Sequence, residues 1–245
     1  MAKISDVERQ HDSEILAARA QQVQKGGARA AVLGVNDGLV STLCLVLGVA
    51  AAGGEQQAVV LAGLAGVIAG SISMAAGEWV SVQSQVDLFE GVLGDLKSMI
   101  KKDKELLEEN LISHLEDDGY DKKTAVKATA EIAKDQSNFF KTYSEQVIGV
   151  NPDELGSPWV AAISSFMLFT LGSLAPLGPW FFTNGTSAIT WSIVLTAIGG
   201  LIAGGYVAYT SGKTLWFGAV RQFLIVLLAS VVTYGVGVLF GVAVS

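Results

Sequence analysis

Apolar residues fall into five long runs, and one polar stretch separates the second from the third. The runs cover residues 29–52, 58–82, about 158–180, 188–210 and 215–243. Each reaches the roughly 20 residues that an α-helix needs to cross a bilayer core. Gly53, Gly54 and Glu55 make a short loop between the first two. Residues 83–157 contain no run of that length. Their apolar positions recur at Val86, Phe89, Val92/Leu93, Leu96 and Met99/Ile100, the spacing of an amphipathic helix. No proline or other stop lies between Glu78 and this pattern, so the second span is expected to continue into the polar stretch. Further helices are expected at about 104–117 and 122–147, the second broken near Asp135, with Gly119 capping the first and Asp121 opening the next. Asn151-Pro152 and Ser157-Pro158 mark the return to apolar sequence.

The pattern predicts an all-α integral membrane protein with five transmembrane helices and a small helical domain inserted between the second and third. It divides the chain into an N-terminal segment (1–28), helices 1 and 2 (29–82), the inserted domain (83–157) and helices 3 to 5 (158–245). In the N-terminal segment Ser5 and Glu8 form a capping-box pair. Its weak apolar face, through Ile4, Val7, Ile15, Ala18 and Val23, suits either an amphipathic helix lying on the membrane surface or a partly ordered tail. The segment is polar and the first run is too long for a signal-peptide core, so no cleavable leader is expected. Pro176 and Pro179 are expected to end the third span at the far interface, with Trp180, Phe181 and Phe182 as interfacial aromatics.

Composition agrees with this class: 51% of residues are hydrophobic and the mean hydropathy is +0.47. Cys44 is the sole cysteine, which excludes an intramolecular disulfide. Charge distribution adds an orientation. Of the 16 Lys and Arg, five lie before or at the start of the first span, nine lie in 83–157 and two flank the connection at 211–221. With five spans all three regions lie on one side, and the positive-inside rule makes that side cytoplasmic. The C-terminus then lies on the opposite side. Residues 83–157 also hold 16 of the 23 acids, and from Leu155 onward there is none. Such a domain reads as a solvated acidic face that attracts cations through its field.

Two acids interrupt the apolar runs, Asp37 in the first and Glu78 near the end of the second. A carboxylate in a spanning helix is costly and usually faces a bundle interior or a polar path. Ser41 and Cys44 follow Asp37 at helical spacing, and Gly70, Met74 and Glu78 line up in steps of four. Carboxylate oxygen together with sulfur suits first-row transition ions better than Mg²⁺ or Ca²⁺. A buried acid also carries protons, and a bound cation displaces them, which is a minimal basis for metal/proton exchange. Asp37, Met74 and Glu78 are therefore the candidate metal ligands, and Asn36 and Ser41 join them along a candidate ion path. The plainer alternatives are that Asp37, beside Asn36 and Gly38, satisfies backbone groups in a loosened helix, and that Glu78 reaches interfacial water. For Met74 taken alone, and for Cys44, the plainer reading is packing. The GxxxG pairs Gly34/Gly38, Gly66/Gly70, Gly200/Gly204 and Gly237/Gly241 read as helix contacts.

The segments GVNDGLVST, AGSISMAAGEWVSVQSQVD and PLGPWFF, with the Gly-rich final span, resemble the vacuolar iron transporter family from about residue 27 to the end. The resemblance implies a proton-coupled exporter of Fe²⁺ and often Mn²⁺ from the cytoplasm. It also implies a homodimer with its ion path between the two first spans, no permanently bound cofactor, and Asp37 and Met74 as pathway residues. Gly66 stands where plant members carry a second pathway glutamate; here the nearby acid is Glu78, as in the bacterial AAGE(Y/W) pattern, which points to a bacterial cytoplasmic membrane. The family's cytoplasmic metal-gathering glutamates align with Leu96, Met99, Leu107 and Asn110, and its methionine pair with Lys141 and Thr142. Glu145 is the one acid retained, while a register shift would bring Glu105, Glu108 and Glu109 near.

Two other functions compete with an antiporter: a passive divalent-cation channel, and a non-transporting membrane metal sensor or scaffold. An enzyme is not expected, because His11 and His114 are isolated and no nucleophile set or phosphate loop is present. No basic patch is interleaved with aromatics, so nucleic acid is not an expected partner. The expected partners are the lipid bilayer, metal ions and protons.

Overall fold

The computed structural model describes residues 27–244 and is helical throughout them, without strands. Its helices are α1 (Gly27–Ala51), α2 (Gln56–Lys102), α3 (Lys104–Asp117), α4 (Lys122–Ile132), α5 (Gln136–Tyr143), α6 (Pro158–Leu177), α7 (Gly185–Thr210) and α8 (Leu215–Val244). Five of them, α1, α2, α6, α7 and α8, are long and apolar enough to cross a membrane. The surface helix expected within residues 1–28 lies outside the described residues. Contacts divide the chain into two compact units, Met1–Val80 with Pro158–Ser245, and Ser81–Ser157. The expected continuation of the second span is present, since α2 runs unbroken to Lys102.

In the first unit α1 is the helix that α6, α7 and α8 pack upon. Its apolar contacts are Val46 with Val59, Val67, Leu177 and Trp180, and Leu43 and Leu47 with Val226. Glycines allow the closest approaches. A Cβ on Gly204 would fall 2.4 Å from the carbonyl oxygen of Gly218, and one on Gly218 would fall 2.2 Å from that of Gly204. The α7–α8 crossing is therefore backbone against backbone, as small residues permit in a membrane. Gly237 approaches Gly48 in the same way. The surroundings of Gly241 lie outside the described residues.

At the far end of α6 one expectation is borne out and one is corrected. The α-helix ends at Leu177, between Pro176 and Pro179, and the Pro176 carbonyl accepts a hydrogen bond from Ser192 Oγ at 2.7 Å. A 3₁₀ turn, Gly178–Phe181, follows directly and carries Trp180 inward. Trp180 is 2% exposed, so it is a core residue rather than an interfacial aromatic, and its carbonyl accepts from Gln56 Nε2 at 2.7 Å. Phe181 and Phe182 do remain exposed.

The second unit gathers large apolar side chains into a core of its own. Leu96, Ile100, Leu107, Leu111, Phe139 and Tyr143 form its core. Of the apolar positions expected on α2, Leu93, Leu96 and Ile100 turn inward, whereas Phe89, Val92 and Met99 are exposed. The buried stripe is thus narrower than the sequence pattern. Each helix start is capped by an aspartate: Asp103 accepts from Leu106 N, Asp121 from Lys123 N and Thr124 N, and Asp135 from Ser137 N and Asn138 N. These bonds satisfy N–H groups that have no intrahelical partner. Gly119, at φ 96°, makes the left-handed turn after α3, while Tyr120 N donates to the Leu115 carbonyl. Hydrogen bonds from Thr124, side chain and backbone, hold the Asp121 carboxyl below its ordinary pKa. The break expected near Asp135 is present, since α4 and α5 are separate helices and α5 closes through a π turn, Ser144–Ile148. Asp153, 2.6 Å from Lys141 Nζ, raises that lysine's pKa.

Candidate functional site

The site begins with the way α1 is fixed on its flanks. Gly34 and Gly38 face α6, where a Cβ on Gly38 would fall 2.2 Å from the carbonyl oxygen of Phe169. Gly172 returns the contact, its Cβ position lying 2.4 Å from the carbonyl oxygen of Val35. One turn further, Thr42 Oγ1 donates to Ser173 Oγ at 2.9 Å, and Ser173 Oγ donates to the carbonyls of Phe169 at 2.8 Å and Gly38 at 3.3 Å. Both hydroxyls are buried. On the α8 side Asn36 Oδ1 accepts a hydrogen bond from Gln222 Nε2. Cys44 Sγ lies 3.9 Å from the carbonyl oxygen of Ala229, which makes it a packing residue of this contact. On the α2 side Leu45 fills the space beside Gly66, so this position is apolar contact rather than a second acid.

What these contacts leave open is the stripe Leu33, Asp37 and Ser41, all exposed and spaced by four. Asp37 does not point into the bundle of its own chain. Ser41 Oγ donates to the backbone carbonyl of Asp37 rather than to its carboxylate. Among the described residues none donates to that carboxylate. The alternative in which Asp37 repairs a loosened helix therefore has no counterpart here, since α1 is continuous through it.

On α2, Met74 and Glu78 are half-buried, and Gly70 lies under the Phe169 ring. Trp79 beside Glu78 meets Trp159 edge to face, with centroids 6.0 Å apart. Among the described residues no three His, Cys, Asp or Glu side chains gather so as to hold a metal ion. That applies equally to the weaker candidates of the second unit. Glu105 lies in the first turn of α3, Glu108 pairs with Lys104 at 3.5 Å, Glu109 is exposed and Glu145 is half-buried in the π turn. His114, in the last turn of α3, lies 3.8 Å from Asp118, the residue just after that helix. A single carboxylate on an open helix face cannot enclose a divalent ion, whose shell takes about four to six donors.

Sequence reasoning found Asn36 but not its partner. Gln222 was hidden in the last apolar run, and the available signal was an amide where the neighbouring span-facing positions are Phe, Leu, Ile and Val. Ser173 and Thr42 carried no such signal, because small hydroxyls are common in spanning helices.

The model of the VIT family matches residues 28–238 of this chain. The chain is 33% identical over 214 residues to the vacuolar iron transporter homolog 1 of Oryza sativa subsp. japonica, covering 87% of this chain and 73% of that protein. It is 32% identical over 220 residues to the vacuolar iron transporter of Acanthamoeba castellanii, covering 87% and 78%. A shorter match, 58% identical over 73 residues, joins 30% of this chain to 33% of the vacuolar iron transporter homolog 5 of Oryza sativa subsp. japonica.

Proposed function

We propose that this chain, which belongs to the VIT family, is a proton-coupled transporter that moves Fe²⁺ or Mn²⁺ out of the cytoplasm. The relatives are named as iron transporters, which supports the cargo and a transport role rather than an enzymatic one. The observation that carries the mechanism is the outward-facing Asp37. Against lipid, an aspartate in mid-span costs about 2.5–3.5 kcal/mol by insertion scales. The stripe of Leu33, Asp37 and Ser41 is therefore best covered by a second copy of the chain. Two copies related by a two-fold axis bring the same stripe to itself, as isologous interfaces do. A homodimer of this kind has two aspartates facing one path between the first spans, and so supplies donors that one chain lacks.

In this reading Asp37 exchanges protons for metal. A divalent ion needs the ionised carboxylate, so proton entry from the far side favours its release. Met74 contributes a softer contact, and Glu78 hands ions and protons between the path and the cytoplasmic side. Residues 83–157 are a cytoplasmic helical domain whose acidic face concentrates cations. The Lys and Arg distribution supports this orientation. A bacterial cytoplasmic membrane suits the AAGEW motif, whereas the relatives carry vacuolar names; in both settings export leaves the cytoplasm.

The test is metal uptake into proteoliposomes, Fe²⁺ and Mn²⁺ separately, with and without an imposed pH gradient. Gradient-dependent flux is expected, with Asp37→Asn lowering it by about 100-fold, on the order of 2.7 kcal/mol in the rate, at unchanged thermal stability. Wild-type flux in Asp37→Asn would refute the assignment. Flux indifferent to the gradient would make the protein a passive channel, and no flux with either metal a sensor or scaffold.

A further inference from the structure

Gln222 is the membrane residue whose placement the transport reading does not use. It is 7% exposed on α8, a long apolar helix, where an amide without a partner is costly. It is held from two sides. A Cβ on Gly204 of α7 would fall 2.8 Å from Gln222 Cβ, and one on Gly200 would fall 3.3 Å from its Cγ. The two glycines thus provide the space its stem occupies. At its tip, Nε2 donates to Asn36 Oδ1, across 186 positions of sequence.

Asn36 is the residue before Asp37, and Gly38, the residue after it, is pinned to the Phe169 backbone. The carboxylate is thus bracketed by one contact to α8 and one to α6. Rotation of α1 that freed Asn36 would carry Asp37 off the open stripe it shares with Leu33 and Ser41. The Asn36 oxygen uses one of its two lone pairs on Gln222 of α8. Its part is to link α8 to the aspartate.

We infer that Gln222 is a positioning residue which, through Asn36, sets the rotation of α1 that presents Asp37 to the ion path. The inference rests on the reading of Asp37 as the transport carboxylate. Gln222 touches neither metal nor proton. It acts as outer partners of metal ligands do, and their removal commonly costs 10–100-fold in affinity.

The experiment uses the full chain in proteoliposomes and measures initial Mn²⁺ uptake against Mn²⁺ concentration. The variants are Gln222→Leu, Gln222→Asn, Asn36→Gln, and the exchange of the two amides, Asn36→Gln with Gln222→Asn. The exchange keeps the combined reach of the pair, so it separates geometry from composition. The expected result is a KM raised about 10-fold or more in each single variant, with maximal rate within about twofold of wild type, and a KM restored by the exchange. Unchanged KM in the single variants would overturn the inference while leaving transport intact. So would a joint fall of maximal rate and thermal stability that the exchange does not restore, since that is the signature of a packing role. Should Gln222→Leu fail to fold, the series with amides at both positions decides. Absence of uptake by the wild-type chain would instead overturn the transport reading, and this inference with it.

Discussion

In the helical unit Asp103, Asp121 and Asp135 each stand just before a helix and accept hydrogen bonds from its first N–H groups. Asp37 stands inside a helix whose N–H groups are already engaged, and among the described residues nothing donates to it. The same side chain caps a helix where backbone donors are unpaired and makes no such bond where they are already paired. The two units differ as widely in what holds them. The helical unit buries large side chains, with Phe139 and Leu111 fully enclosed. The membrane unit joins α1 to α6 and α7 to α8 through glycines set against carbonyl oxygens. Water drives apolar side chains together, whereas lipid tails compete equally for them, so helices in a membrane gain more from close approach.

This contrast can be broken from either side. The largest effect on stability is expected in the helical unit: Phe139→Ala removes a fully buried ring and should cost about 3–5 kcal/mol. Urea unfolding followed by near-ultraviolet circular dichroism in detergent would read it. A loss below about 1 kcal/mol would mean that the core is not organised around this ring. Next is Gly38→Ala, which puts a methyl 2.2 Å from the Phe169 carbonyl oxygen. Such overpacking costs about 1–3 kcal/mol where the neighbour is backbone. The same change at Gly91, which has open space around it, should be neutral or slightly stabilising. Equal melting temperatures for the two variants would refute glycine-mediated packing.

Smaller still is the loss of one cap. Asp135→Ala should cost about 1 kcal/mol and leave metal flux unchanged, the reverse of Asp37→Asn, which should remove flux and leave stability unchanged. A flux defect in Asp135→Ala would mean that the two units are coupled through α5. The smallest expected effect is a pH dependence. The Asp121 pKa is lowered in the folded chain, so its contribution is present above the ordinary aspartate pKa of about 3.9. It is lost as pH falls below that value through the lowered folded pKa. An acid titration of helicity should therefore be steeper for the wild-type chain than for Asp121→Asn. Superimposable curves would show that the cap does not depend on the charge.

Much of the fold follows from sequence alone because it depends on neighbours within about four positions. The five spans follow from run length, and the α4 start follows from Asp121 with Gly119 just before it. The break at Asp135 and the unbroken passage of α2 through Glu78 are of the same kind. Asp37 and Glu78 were visible because a charge in an apolar run is conspicuous. Only the tertiary structure decided which way α1 turns. Its span is apolar around most of its circumference, so no amphipathic stripe marks an inner face. The choice falls instead to Gly38 meeting Phe169, Gly172 meeting Val35 and Gln222 meeting Asn36, pairs more than 130 positions apart. Trp180 shows the same limit: its place after two prolines suits an interfacial ring, but the 3₁₀ turn buries it against Val46 and Val59. Local periodicity determines which segments are helices; the rotation of a uniformly apolar helix is settled only by the shapes that close against it.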